Sequence, residues 1–310
     1  MTKNKTTLLI TDSGLGGLSV FADIASQLRK KAPFEEIKLV YFNAWPFPDK
    51  GYNHFPDMAA KAIVFNNALE AMATYTPDSI LIACNTLSVI YPFTDFSRKT
   101  NSLVTGIVDH GVNLVYEHLI QTPGSRVVIF GTPTTTDAKT HKKALVKMGI
   151  APERIINQGC INLAGKIERD PFGQEVAQMI EANAKQAASK LGPVTETVFA
   201  ALCCTHFGYC SDLFSTSLAR HTGHKVFSLN PNTRMGQLDQ VWPMNHMKMT
   251  DLAKAAPQFP FPKIEMEIVS RVEWEQTRIT AYERLLKDVS PQTVKALKQY
   301  TWNKNLFQVD

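Results

Sequence analysis

Two cysteines in this sequence stand where a thiol can do chemistry. Cys84 is followed by Asn85 and Thr86, and Cys204 by Thr205 and His206. Cys84 comes straight after the short apolar run 80–83, and the run 198–202 leads through Cys203 into Cys204. Such a run, bounded by polar residues, predicts a strand buried on both faces of a parallel sheet. In open α/β sheets, ligand groups sit just past the carboxyl ends of the strands. A thiol, an amide and a hydroxyl at that place supply an acid/base group, a two-way hydrogen bonder and a donor. Taken alone, either tripeptide reads better as a buried cysteine beside an Asn/Thr helix start. The second copy shifts the reading toward chemistry.

A third cluster, Asp12-Ser13-Gly14-Leu15-Gly16-Gly17, follows the apolar strand predicted over 7–11 and precedes an amphipathic helix over 18–31. Glycines let the backbone turn tightly and a ligand approach bare N–H groups, and a helix N-terminus favours anions. The pattern is neither GxGxxG nor followed by GK[ST], so it does not specify a nucleotide site. A carboxylate and a hydroxyl at a strand end point elsewhere, although a reading in which Asp12 only caps the helix stays open. Two thiols on two similar lobes can face each other across a cleft. That arrangement suits proton abstraction from one face of a carbon and delivery to the other. A cysteine is brought from about 8.5 toward working pH by nearby donors or a helix N-terminus. Asp12 could assist one thiol and His206 the other. Ser13, Asn85, Thr86, Thr132, Thr135 and Thr205 could hold a carboxylate and an amine without a metal.

The elements that must position these groups follow a βαβ rhythm, run through twice. Strands are predicted over 37–42, 80–83, 103–108, 126–130, 154–157 and 198–202, with helices over 56–72, 112–121, 138–148 and 175–190. The strand over 103–108 ends in Asp109-His110-Gly111, and the strand over 126–130 ends in a polar turn, 131–137. The fold class is therefore α/β, two similar doubly wound lobes with parallel sheets and the active site in the cleft between them. The first lobe is assigned residues 1–111 plus 226–310, with a C-terminal extension, and the second 112–225. In the extension, 238–262 is Trp-, Met- and Pro-rich and irregular, 264–268 alternates like a half-exposed strand, and Ser290-Pro291 starts a helix over 292–300.

Composition excludes several classes. Hydrophobic residues make up 44% of the 310 residues and charged residues 20%, a soluble globular balance. No apolar run is long enough to span a bilayer, and the N-terminus does not read as a signal peptide, which favours a cytoplasmic protein. The charge of +5 is mild and no basic run occurs, so no nucleic-acid partner is expected. Five cysteines without a CxxC argue for free thiols and against a zinc site. Cys160 and Cys210 read as packing residues, and Cys203 as packing on the side of its strand opposite Cys204. His110 reads either as lining the cleft or as a surface or capping histidine. Trp45 and Phe47 either cover the cleft or pack a long loop, and Glu265 and Glu267 form a solvated face.

TDSGLGGLSV resembles the FDSGxGGL motif of glutamate racemases, and ACNT and CTH resemble the two cysteine motifs of the aspartate/glutamate racemase superfamily. Residues 131–135 are similar to that family's GTxxT stretch, and 104–108 to its P-V-x-G-I segment. Glu168 falls on its acidic position. The resemblance covers 7–232. It implies cofactor-independent racemisation at Cα of an acidic amino acid, most of all glutamate, a peptidoglycan precursor. Cys84 and Cys204 would be the two bases, Asp12 and His206 would tune them, and Ser13, Gly51, Asn85, Thr86, Thr132, Thr135 and Thr205 would bind the substrate. The partner implied is a small-molecule amino acid, without nucleic acid or membrane, and the quaternary state kept in view is a homodimer.

The sequence also departs from the family. The loop that usually reads YFGDTARxPYG is Tyr41 to Gly51 here, with Asp49-Lys50 at the Pro-Tyr positions and only Gly51 retained. Cys203 stands where the family has glycine, Gly208 where it often has proline, and the tail after Pro231 is longer. An inward Lys50 would favour an anionic side chain. The alternatives to glutamate racemisation are an aspartate racemase, a diacid isomerase or decarboxylase of the same architecture, and a racemase-like binding protein.

Overall fold

The computed structural model describes residues 5–29, 34–48, 50–100, 102–194, 196–241 and 262–309. The centre of the Trp/Met/Pro-rich stretch and Asp49 lie outside the described residues. The chain forms two compact units, one made of 1–83, 90–105 and 233–310, the other of 84–89 and 106–232. Both units are discontinuous, whereas the sequence reading divided only the first lobe and kept the second as one stretch, 112–225. Their boundaries assign the Cys84 segment and 106–111 to the second unit.

The first unit carries β1 (Lys5–Asp12), α1 (Leu18–Leu28), β2 (Glu36–Asn43), α2 (Met58–Ala73) and β3 (Ser79–Ile82). Leu8, Leu9, Ile10, Leu39, Val40, Ile80 and Ile82 are all inaccessible to solvent. Strands covered on both faces in this way read as unbroken apolar runs rather than as alternation. β1 lies in parallel register between β2 (Leu8 opposite Leu39) and β3 (Leu8 opposite Ser79). Asp57 caps α2, its carboxylate accepting from the Ala60 N–H at 2.8 Å. The alternating tail segment is the strand Lys263–Ser270. It pairs in parallel with β2 along its whole length, Glu36 opposite Lys263 and Asn43 opposite Ser270. Glu265 faces solvent, but Glu267 is half-buried, with Lys38 on β2 bridging to it at 2.8 Å. Ser290 caps the helix Pro291–Lys298, as its sequence signature predicts.

α3 (Asn85–Ile90), the short α4 (Phe96–Lys99) and β4 (Leu103–Gly106) follow β3. α5 (Ile107–Gln121) then opens the main part of the second unit. The strand predicted over 103–108 therefore stops at Gly106. Ile107 and Val108 are β-branched and apolar, but the Ile107 N–H finds Ser88 Oγ at 3.2 Å and the chain turns helical there. Asp109, His110 and Gly111 are thus helical, and His110 is buried in α5 rather than sitting in a turn after a strand.

The second unit continues with β5 (Arg126–Gly131), α6 (Pro133–Ala138), α7 (Thr140–Lys147), β6 (Ile155–Gly159), α8 (Leu163–Arg169), α9 (Gln174–Lys190), β7 (Thr197–Cys203), α10 (Ser211–Thr222) and β8 (Lys225–Leu229). Its four strands run parallel in the order β6-β5-β7-β8. The polar turn predicted at 131–137 is in fact helical. Thr132 is the extended N-cap of α6 and Pro133 its first residue, a position where the missing N–H costs nothing. Lys139, with φ +56°, separates α6 from α7.

His141 on α7 is buried, and its Nε2 has no hydrogen-bond partner among the described residues. Burial pushes its pKa down to about 4. In the unfolded chain a histidine titrates near 6.5, so the unfolded state takes up the proton first as pH falls. The neutral ring therefore stabilises the fold fully above that pH, and the contribution of about 3 kcal/mol is lost between about pH 6.5 and 4. Urea denaturation followed across this window should show a steeper loss in the wild type than in His141→Phe. Parallel curves would remove His141 from the acid response.

Candidate active site

In the first unit, the end of β1 presents Asp12 and Ser13. The Asp12 carboxylate accepts the Gly17 N–H at 2.5 Å, and the Ser13 hydroxyl lies 3.5 Å from the other carboxylate oxygen. A Cβ on Gly17 would lie 2.9 Å from both Asp12 Cβ and Oδ2, so only glycine lets the turn close on this carboxylate. Asn43, at the end of β2, fastens the same turn to the next loop. Its amide donates to the Gly14 carbonyl at 2.9 Å, and its Oδ1 accepts from the Trp45 N–H at 2.9 Å. Tyr41 OH donates to the same Gly14 carbonyl at 2.7 Å. Sequence reasoning passed over Asn43, whose only signal is its place at a strand end. Trp45 is buried, Phe47 is half-buried, and Gly51 has open space where a Cβ would project.

Lys50 is exposed, its N–H bonded back to the Phe47 carbonyl at 3.3 Å. This turn holds residue 50 on the outside and removes the burial that an inward ammonium would have needed. A charge facing water contributes little to binding, so Lys50→Met is expected to change KM by less than about threefold. Steady-state kinetics on the variant checks this, and a tenfold rise would restore the inward lysine.

The second unit holds the remaining expected residues. Cys84 is buried and its carbonyl accepts the Ser88 N–H at 2.9 Å, which starts α3 immediately past the strand end. Asn85 is buried, and neither end of its amide has a partner among the described residues. Burying an unpaired amide costs on the order of 1–3 kcal/mol. Three threonine hydroxyls cluster nearby in sequence or fold. Thr86 Oγ1 lies 2.8 Å from Thr132 Oγ1 and 3.4 Å from Thr135 Oγ1, and the last two are 3.1 Å apart. Thr132, the N-cap residue of α6, and Thr135 lie one turn apart at the helix start, which puts their hydroxyls on the same side.

Cys204 lies at the end of β7 in extended conformation, before a tight helical turn, 205–210. Its Sγ is 3.8 Å from His206 Nδ1, and His206 Nε2 is 2.8 Å from Glu168 Oε2. Both His206 and Glu168 are buried. Burial alone disfavours a charged ring, but the hydrogen bonds to Cys204 and Glu168 and the Glu168 charge outweigh it. His206 is thereby held well above the usual histidine range. Thr205 is buried, its carbonyl accepting from the Asn232 amide at 2.9 Å. Glu168 is the main addition to the residues expected here; its acidic position was visible in the sequence, its partner 38 positions away was not.

The remaining cysteines pack. Cys203 is inaccessible and Cys160 nearly so, and burial pushes both thiols far up. Cys210 is pushed up to about 11 by burial, its Sγ 3.6 Å from the Pro171 carbonyl. Among the described residues no group of three or more His, Cys, Asp or Glu could hold a metal ion, and no helix is long and apolar enough to cross a membrane.

No family model matches the chain. Its sequence is similar to a glutamate racemase from Synechocystis, 24% identical over 219 residues, covering 68% of this chain and 69% of that protein. It is also similar to a glutamate racemase from Aquifex pyrophilus, 27% identical over 143 residues, covering 45% of this chain and 50% of that protein. By sequence the chain is glutamate racemase-like. A crystal structure of glutamate racemase from Francisella tularensis, solved in complex with D-glutamate, shares the fold of this chain. The TM-score is 0.63 at 17% identity, over 92% of this chain and 94% of that one.

Proposed function

We propose that this protein is an amino-acid racemase that inverts Cα of an acidic amino acid, most of all glutamate, using Cys84 and Cys204 as the two bases. One observation carries the reading. Both strand-end cysteines, Asn85 and the three threonine hydroxyls belong to one compact unit, and the buried Asn85 amide is unpaired at both ends among the described residues. An amino acid is the kind of ligand that completes such an amide, because its ammonium donates and its carboxylate accepts. The threonine hydroxyls donate to the same carboxylate.

In this scheme one cysteine enters the reaction as thiolate and takes the Cα proton. The C–H pair stays on the substrate and spreads into the carboxylate, while the new S–H bond forms. The other cysteine, entering as thiol, returns a proton to the opposite face. The protonated His206 ring, held by Glu168, balances the negative charge on Cys204 whenever that sulfur has given up its proton. Asp12 and Ser13 keep the parts that the family resemblance implies. The reading needs no cofactor, and it places the protein in the cytoplasm, supplying a D-amino acid to peptidoglycan precursors.

The test is a panel of L- and D-amino acids in D2O, with deuterium at Cα read by NMR or mass spectrometry. Incorporation into glutamate with loss of optical activity is expected. Incorporation into aspartate alone would change the substrate, and no incorporation into any acidic amino acid would overturn the racemase reading.

A further inference from the structure

The loop that departs from the racemase pattern is gripped at 45–47 by two arginines from the C-terminal segment. Arg271 comes one residue after the strand Lys263–Ser270. Its Nη1 donates to the Pro46 carbonyl at 2.6 Å and its Nε to the Phe307 carbonyl at 3.1 Å. The same guanidinium lies over the rings of Phe47, at 5.6 Å, and Phe307, at 5.8 Å. Arg278, on the helix Gln276–Leu286, is 4% exposed, with its guanidinium 4.8 Å above the Trp45 ring. One planar cation thus holds a loop carbonyl and a loop ring, and a second covers the next aromatic residue. Arginine suits both tasks, since its fork donates in fixed directions and its flat face stacks on rings.

The grip continues into groups already described. Trp45 is bonded through its N–H to Asn43, and Asn43 to the Gly14 carbonyl of the turn that carries Asp12 and Ser13. The Ala44 N–H donates to the Asp12 carbonyl at 2.8 Å. These bonds anchor the start of the loop on the Asp12 turn independently of the arginines, which hold its far side at 45–47. Paired over Glu36–Asn43 and Lys263–Ser270, β2 and the C-terminal strand end at the same level, which fixes where the two arginines start.

We propose that Arg271 and Arg278 are positioning residues that hold the 43–51 loop in its working shape and so set which acidic side chain the enzyme accepts. The proposal rests on the racemase reading for its substrate, but the clamp itself is a property of the fold. Neither arginine touches reacting atoms in this scheme. Their loss should weaken binding while leaving proton transfer intact, the signature of a group that orients a binding loop.

The test compares full-length wild type with Arg271→Met, Arg278→Met, Arg278→Lys and, as a control on the same segment, Lys298→Met. Hydrogen exchange of a peptide spanning 43–51 should speed up in both methionine variants and not in the control. KM for the best acidic amino acid should rise about tenfold with kcat within about threefold, and Arg278→Lys should recover only part of the loss, because it keeps a cation near Trp45 but not the flat stacking face. Unchanged loop exchange and unchanged KM in both methionine variants would overturn the clamp. So would a fall in kcat that tracks a fall in Tm without any rise in KM. Faster loop exchange in a wild type-like fold that exchanges no amino-acid Cα proton would leave the clamp standing and sink the racemase reading instead.

Discussion

Serine at position 204 is expected to cut racemisation by about 1000-fold or more, and serine at position 84 to do the same. A serine hydroxyl is a far weaker acid than a thiol and holds almost no anion at neutral pH. The Cα proton then has no base on that face. Loss of one base costs several kcal/mol of transition-state stabilisation, with each ~1.4 kcal/mol being tenfold in rate. Because the two enantiomers have equal free energy, kcat/KM must fall by the same factor in both directions, whichever cysteine is changed. Cys160→Ser and Cys210→Ser, at the packing positions, should keep turnover close to wild type. Polarimetry on purified variants checks all four, and a Cys84→Ser enzyme that kept a third of its activity would disprove the two-base assignment.

The second large effect is expected at Glu168. Its carboxylate is the charged partner that keeps the buried His206 ring protonated. Glutamine at this position keeps a hydrogen bond but removes the charge, so burial wins and the ring loses its proton at a lower pH. Cys204 then loses its cationic neighbour, and kcat should drop by about 100-fold, the lower range for a misassembled acid/base group. The sign of the pH effect follows from the direction of the shift. The folded-state pKa of His206 is raised, so the stability it contributes is complete below the unfolded value of about 6.5 and is lost as pH rises through the folded value. In Glu168→Gln that loss, and the alkaline limb of kcat, should both move to lower pH. A pH profile superimposable on wild type would show that Glu168 does not act through His206.

Much of this architecture was legible in the sequence because it is written locally. The runs before Cys84 and Cys204 are apolar without alternation, and each is a parallel strand covered on both faces. The Ser290-Pro291 cap needed only the residues on either side of it. What was not legible depended on partners far along the chain. Ile107 and Val108 look like strand until Ser88 Oγ is known to cap the Ile107 N–H. Glu168 and His206 are separated by a helix and a strand, so their bond is a product of tertiary packing. The run 264–268 showed its period of two but not that β2 would be its neighbour. The charge of Lys50 suggests a binder, while its backbone bond to the Phe47 carbonyl lies in a turn that leaves it exposed.

The strand Lys263–Ser270 has a consequence for how the chain is made. Its hydrogen-bonding partner, β2, leaves the ribosome more than two hundred residues earlier. During that interval β2 has β1 on one side and a row of unpaired N–H and C=O groups on the other, the kind of edge that other chains add to. The second unit is nearly contiguous, 106–232, and every strand in its sheet is available well before residue 263 emerges. Synthesis therefore delivers the Cys204–His206–Glu168 grouping on a sheet that can already close. The Asp12 turn must wait on an unfinished one. Truncation before residue 262 would return the nascent edge permanently, and with it a surface prone to pair with its own copies.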